Sequence, residues 1–420
     1  MNQLHIMKAL IATALLATLL GAGFTPPGEW APKDFPISFW CGPPDNFITV
    51  ERYKEIAAAG FNYVMPPCEG QSTPERNKKI LDTAKAVGLK AFVQDERMPV
   101  SITGVPDAKE KLDAIVKDYS RQGAFAGYFI TDEPGAPAFK GLGEVVAYLR
   151  SKDPKHPAYI NLFPNYANSE QLGLDSYDSY LDHYIQEVQP FAVSYDHYHF
   201  LKDKDRVGFF GNLDSVRTSA VKHELPFWQI VQAVQFGNHR KLTEAEKRWE
   251  AMQTLAYGGK GLMYFTYWQP NDKSFDWGPS IVLKDGMQTP QYDEVKRINA
   301  DVRAIGKYLV DAVPSGVFQN GNLPEDGKAR EQGTPVIFPG GGDVTVGLFR
   351  RDTHLYVLFA NRDYKNTTKT DVFLSSAANP VERLDKEKGR WMGIKGEKTA
   401  DGDVKVHLEI AAGDGELYRW

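Results

Sequence analysis

Apolar and polar positions follow two alternating periods over the first three hundred residues. Short apolar runs recur at intervals of roughly 30 residues, and between them the apolar positions fall at helical spacing. The runs predict strands at Phe35–Cys41, Phe61–Met65, Lys90–Gln94, the apolar part of Gly127–Gly135, Ala158–Leu162, Phe191–Tyr195, Pro226–Val231 and Gly261–Tyr267. Helix signals fill the gaps. Thr49–Ala59 is stopped by Gly60, and Thr73 with Pro74 makes an N-cap and first helical position. Lys109–Tyr119 and Tyr292–Leu309 carry helical spacing, and Thr243-Glu244-Ala245-Glu246 is a capping box. Eight strand–helix units in order predict an α/β chain with a (β/α)8 TIM barrel over residues 30–312. A doubly wound open sheet would usually carry a glycine-rich turn after its first strand, and "WCGPPDN" is not one.

After Pro314 the helical period disappears. Val344–Phe349, His354–Asn361, Asp371–Leu374, Val404–Ile410 and Glu416–Trp420 are short alternating runs split by Gly, Asp and Asn turns. They predict a small C-terminal β-sandwich over residues 315–420. At the other end, Lys8 precedes the apolar run Ala9–Leu20 and the small residues Gly21-Ala22-Gly23. That order predicts a cleaved signal peptide over residues 1–23 and a secreted or periplasmic protein. The run is short against the roughly 20 residues of a spanning helix, so no membrane segment is expected after cleavage.

Composition narrows the function classes. The 420 residues carry 49 basic and 54 acidic side chains, interleaved, for a net charge of −5, with no basic stripe for nucleic acid. No glycine-rich phosphate loop or arginine cluster appears, so phosphorylated ligands fit poorly. The two cysteines, Cys41 and Cys68, follow the first and second strands. They can pair in an oxidising compartment or stay as buried thiols.

In a barrel the residues just past the strand ends share one face, where the chemistry gathers. Those positions hold Trp40, Asp95, Asp132, Glu133, Asn161, Tyr195, Asp196, His197, His199, Gln232 and Trp268. Carboxylates, amides, imidazoles and indoles around one cavity suit a polyhydroxylated ligand. Asp132 and Glu133 end an apolar strand, where desolvation raises a carboxyl toward general-acid range. Neighbours on an extended strand point to opposite sides, so one of the two is expected in the cavity and the other held by nearby protein. His197 and His199 are an i, i+2 pair and raise the idea of a metal site. Hydrolytic metals want further His or acid ligands at other strand ends, but His156, His183, His223 and His239 fall in helices or connections, so no metal and no cofactor is expected.

The strand ends "TDEP" and "YDHY", with "TLAYGGKGLMYFTYW" leading through strand eight, resemble the retaining α/β-barrel glycosidases, glycoside hydrolase family 42 above all. The resemblance spans roughly residues 35–309. It implies Glu133 as acid/base, Asp132 in place of an asparagine that binds the sugar, and Trp268 as the floor of a sugar subsite. One departure stands out: those enzymes carry a nucleophilic Glu at the end of strand seven, where this chain has "PFWQIVQAVQFGNH". Asp196 is then the expected second carboxylate, with Asp95 and Glu69 in reserve, and Trp40, Asp95, Asp132, Asn161, Tyr195, His197, His199, Gln232 and Trp268 are the expected substrate ligands. The expectation is an exported glycoside hydrolase acting on an oligo- or polysaccharide. Its rivals are a carbohydrate-binding protein on a degenerate barrel and a metal-dependent hydrolase.

Overall fold

Eight short strands form one parallel sheet: β1 (Ile37–Phe39), β2 (Tyr63–Val64), β3 (Lys90–Gln94), β4 (Phe125–Asp132), β5 (Ala158–Leu162), β6 (Val193–Asp196), β7 (Phe227–Gln232) and β8 (Gly261–Phe265). The computed structural model describes residues 32, 34–375, 380–400 and 402–420, so the expected signal segment 1–23 lies outside the described residues. Strand order runs β1-β8-β7-β6-β5-β4-β3-β2, each strand beside its sequence neighbour, the arrangement of a (β/α)8 barrel.

The two sheet ends, β1 and β2, meet through Asn62. Its side-chain oxygen accepts from the Ile37 N–H (2.7 Å) and its amide donates to the Phe35 carbonyl (3.0 Å). Its own backbone N–H donates to the Ile37 carbonyl at 3.1 Å. Toward the C-terminal mouth the same seam is crossed by a Cys41–Cys68 disulfide, with Cα atoms 4.7 Å apart.

Local signals place the helices. Thr49, Thr73 and Thr243 each cap a helix through the side-chain oxygen, Pro74 takes the first helical position, and Gly60 turns left-handed after the first helix. In Thr243–Glu246 both halves of the capping box are made.

Period two then sorts the strand residues. Phe92, Phe129, Tyr159, Trp228, Ile230 and Met263 point inward and fill the barrel centre. The alternate residues Val93, Tyr128, Ile160, Val231 and Leu262 pack outward under the helices. Trp228 is only 1% exposed in that inner cluster, and burying so large a ring stabilises by about 2–3 kcal/mol.

Among the described residues, ten further strands from Val313 to Arg419 form two antiparallel sheets of six and four strands, packed as a sandwich. Five of them, including Val313–Asn320 and Glu382–Asp385, fall outside the runs that the sequence pattern marked. They are short, or alternate weakly, and their pairing partners define them. The sandwich lies against the helix Glu244–Ala256. Trp249 Nε1 donates to the Arg362 carbonyl (3.0 Å), Gln253 Nε2 to the Asn361 carbonyl (3.2 Å), and Gln319 Nε2 to the Tyr257 hydroxyl (2.5 Å). Among the described residues no helix is long and apolar enough to cross a membrane.

Candidate active site

Three carboxyl groups gather around Asn161 at the C-terminal mouth, two of them bonded to its side chain. The Asn161 amide donates to Asp132 Oδ1 (3.1 Å) and to Asp196 Oδ1 (2.9 Å). Its side-chain oxygen accepts from Ser194 Oγ (3.2 Å), which in turn pairs with the Tyr159 hydroxyl (2.8 Å). The chain Tyr159–Ser194–Asn161 therefore fixes which way the amide faces. Glu133 joins by a carboxyl–carboxyl hydrogen bond to Asp196, so the two share a proton.

Both members of the Asp132–Glu133 pair reach this cluster, contrary to the expectation from simple alternation. Two backbone features account for it. The β4–β5 register slips between Phe129 and Thr131, which pairs Asp132 directly with inward-facing Asn161. Glu133 then leaves the strand with φ +44°, its N–H donating to the Asn161 carbonyl (2.9 Å). A non-glycine residue at positive φ is uncommon, and at a strand end bearing an acid it marks a site under constraint.

The electrostatics favour protonation. Desolvation pushes the Asp132 carboxyl up to about 6, against the opposing Asn161 hydrogen bond. Asp132 is nonetheless open to the cleft, so water there moderates the push. Glu133, half-buried, is pushed up to about 7 by desolvation and by the Asp132 charge. Asp196 is 4% exposed and held well above the carboxylate range by burial and by both neighbouring acids. Near neutrality the cluster thus holds carboxylate and carboxylic acid side by side, the pairing that acid–base chemistry needs.

Beside Asp132 opens a hollow of about 380 Å³, walled by Trp40, Met65, Phe129 and the Gln94 amide. Trp40 meets Phe129 edge-on at 5.4 Å. On the other side Tyr198, Phe236, Phe265 and Trp277 form a second aromatic wall, with Tyr198 and Phe265 centroids 5.2 Å apart. Another hollow of about 390 Å³ lies at the opposite end of the barrel, around Leu149, Ile185 and Phe191. No carboxyl lines it, so it cannot host two-acid chemistry.

Several candidates face elsewhere, and strand parity explains most of them. On β6 and just beyond it Ser194, Asp196 and Tyr198 point inward, so Tyr195, His197 and His199 point into the helix layer. Tyr195 is fully buried in the outer core. His197 bonds Asn212 Oδ1 (2.9 Å), and His199 stacks on Trp249 with centroids 4.9 Å apart. Desolvation pulls these two imidazoles down to about 3 and about 4, so both are neutral. On β3 Phe92 and Gln94 face in, and Asp95 faces out. Arg97 Nε and Nη2 both donate to Asp95 (2.8 Å each), and Tyr119 does so at 2.5 Å, which leaves no room for a ligand. Gln232 is buried with its amide on the Val234 (3.1 Å) and Arg240 (2.7 Å) carbonyls. Trp268 is 4% exposed, tilted against Phe47 and beneath Arg52, and offers no ring face to the cleft. Met65, Gln94, Tyr198 and Phe265 were not singled out from sequence. Continuing each strand's alternation to its end would have found them.

No family model and no curated protein sequence matches the chain. Solved structures do. A protein described as a glycoside hydrolase is 14% identical, with TM-score 0.59 over 92% of each chain. Gan42B, a GH42 β-galactosidase from G. stearothermophilus, is 8% identical, with TM-score 0.58 over 92% of this chain and 98% of its own. A glycoside hydrolase family 5 protein from Bacteroides vulgatus ATCC 8482 is 11% identical, with TM-score 0.55 over 92% and 88%. The likeness is one of fold. At 92% of this chain it takes in both the barrel and the C-terminal strands.

Proposed function

We propose that the protein is an exported glycoside hydrolase acting on a carbohydrate. The observation that carries this reading is the carboxyl cluster at the barrel mouth, bordered on two sides by aromatic walls. Sugars are recognised by acids and amides at their hydroxyls and by aromatic rings at their C–H faces. Glu133 is the general acid/base: it is half-buried, adjoins the open cleft, and holds a proton up to about pH 7. Asp196 was expected to attack the sugar or activate water. Its 4% exposure and its bonds to Asn161 and Glu133 favour instead a positioning role, sharing the proton with Glu133. The disulfide is in keeping with an oxidising compartment, and so supports export to the periplasm or beyond.

Hydrolysis of a panel of oligosaccharides and aryl glycosides tests the reading. Glu133→Gln should lower kcat/KM by about 10²–10⁴-fold on poor leaving groups and far less on activated ones, as loss of a proton donor does. The wild-type rate should fall above about pH 7, where Glu133 ionises. An unchanged rate in that variant sinks the assignment. Calorimetric binding of glycans with no product from any of them would favour a carbohydrate-binding protein.

A further inference from the structure

Two-carboxylate glycosidases need a second acid across the sugar from the proton donor, with carboxyls about 5–5.5 Å apart for retention and roughly 6.5–9.5 Å for inversion. Among the described residues around this cleft, the obvious suppliers are spent. β7 ends in Gln232, whose amide is bound to two backbone carbonyls. Asp95 is closed by Arg97 and Tyr119. Asp196 is hydrogen-bonded to the donor itself and shut from solvent. Glu69 accepts from the Asn271 N–H (2.5 Å), and the acid that lines the hollow beside the cluster is Asp132, the residue preceding Glu133. Consecutive residues cannot flank an anomeric carbon from opposite faces. Asp132 can, however, touch a substituent on the ring carbon next to it.

The hollow beside Asp132 says which substituent. Its walls are Trp40, Met65, Phe129 and prolines 66 and 67, with the Gln94 amide among them, and no basic residue lines it. A hydroxyl gains little from such walls, whereas an acetamido group offers a methyl to the apolar side and an N–H to the carboxylate. Resting on the glycosidase reading above, we propose that the substrate is a 2-acetamido-2-deoxy-glycoside and that its own acetamido carbonyl oxygen supplies the nucleophile. Asp132 accepts the acetamido N–H and orients the group, and Glu133 protonates the leaving oxygen.

The step balances without a further reactant. The carbonyl oxygen forms a bond to C1 as the C1–O bond to the leaving group breaks, and the Glu133 proton goes to that oxygen. The positive charge on the cyclised group is carried at its N–H, against the Asp132 carboxylate. Water then attacks C1 and gives a proton to Glu133, the C1–carbonyl oxygen bond breaks, and the acetamide is restored. Backside attack requires the leaving group trans to the acetamido group, so β-linked gluco- or galacto-configured sugars are the substrates.

Paired 4-nitrophenyl β-glycosides, 2-acetamido against 2-hydroxy, in both configurations, test this on the full chain. The expected result is a kcat/KM at least about 10²-fold higher for one 2-acetamido sugar, falling steadily when its acetyl is mono-, di- and trifluorinated, because fluorine weakens the carbonyl nucleophile. Asp132→Asn should lower kcat on the acetamido substrate and flatten that fluorine dependence, a response that a purely structural role would not give. Turnover of 2-hydroxy glycosides alone, or a trapped covalent glycosyl–enzyme, overturns the inference and leaves the glycosidase reading standing. Turnover of neither class in either configuration overturns both.

Discussion

Glu133 stores free energy in a form that pH reveals. Its carboxyl sits at about 7 in the folded protein against about 4.3 in an unfolded chain, so the folded state holds the proton more tightly. Below the unfolded value both states are protonated, and the site costs nothing in charge. As pH rises toward 7 the unfolded chain ionises first, and stability falls across that window. Glu133→Gln removes the titration. The variant should match wild type near pH 4 and exceed it by about 1–3 kcal/mol near pH 8 in urea unfolding. A constant offset at both pH values would place the cost elsewhere than in the charge. The same residue shows what alternation could and could not say. Parity from Phe129 puts Glu133 inward and Asp132 outward. The slipped register at β4 and the left-handed turn at Glu133 bring both in, and neither leaves a mark in the local sequence.

At the scale of the element, β4 is held in register by close packing at its start. Gly127 has φ +156°, and a Cβ there would lie 2.4 Å from the Pro157 carbonyl oxygen and 2.9 Å from the Phe92 ring. Gly127→Ala must push β4 from the start of β5, and the displacement is carried up the strand toward the carboxyl cluster. It should destabilise by about 2–4 kcal/mol in chemical unfolding and lower activity beyond what residual folding explains. The β1–β2 seam depends on different bonds. The disulfide closes a stretch with sequence separation 27, so replacing Cys41 and Cys68 together by Ser should cost about 3 kcal/mol. Differential scanning calorimetry with and without reductant reads this, and an unshifted Tm would mean that Asn62 alone secures the seam. Caps and terminal glycines for the helices were legible because each acts through its own few residues. The seam was half legible: both cysteines stood at adjacent strand ends, but pairing needed the closed barrel.

Across the whole molecule, barrel and sandwich share one core. Phe349, Tyr356, Leu358 and Leu417 of the sandwich belong to the same apolar cluster as the outer faces of the barrel strands. Gly347 packs so tightly on the helix Glu244–Ala256 that a Cβ would come 2.1 Å from the Ala256 carbonyl oxygen. Lys260 is buried at the joint, with its ammonium donating to the Leu309 carbonyl at the end of the last barrel helix and to the Ala312 carbonyl just beyond it. The two units are therefore expected to unfold in a single calorimetric transition, with the van't Hoff and calorimetric enthalpies equal. Gly347→Ala should lower that one transition by several degrees, and its splitting into two would show that the shared cluster does not couple the units.

What the sequence alone determined were the features that act over a few residues. Strand and helix periods, caps, turn residues and acid-bearing strand ends sufficed for a barrel with a β-sandwich, and for Glu133, Asp132, Asn161 and Asp196 at its mouth. What tertiary structure decided were the facing and the company of each side chain. Asp95, Tyr195, His197 and His199 stand at the right strand ends but on the outward parity, and Gln232 and Trp268 turn into bonded or stacked neighbours. Burial raises the proton affinity of Asp132, Glu133 and Asp196, and the Asp132 charge adds to that of the other two, only because three strands bring them together around one asparagine. Proton affinity depends on desolvation and on charges a few ångströms away, and these are set by contacts between residues far apart in the chain.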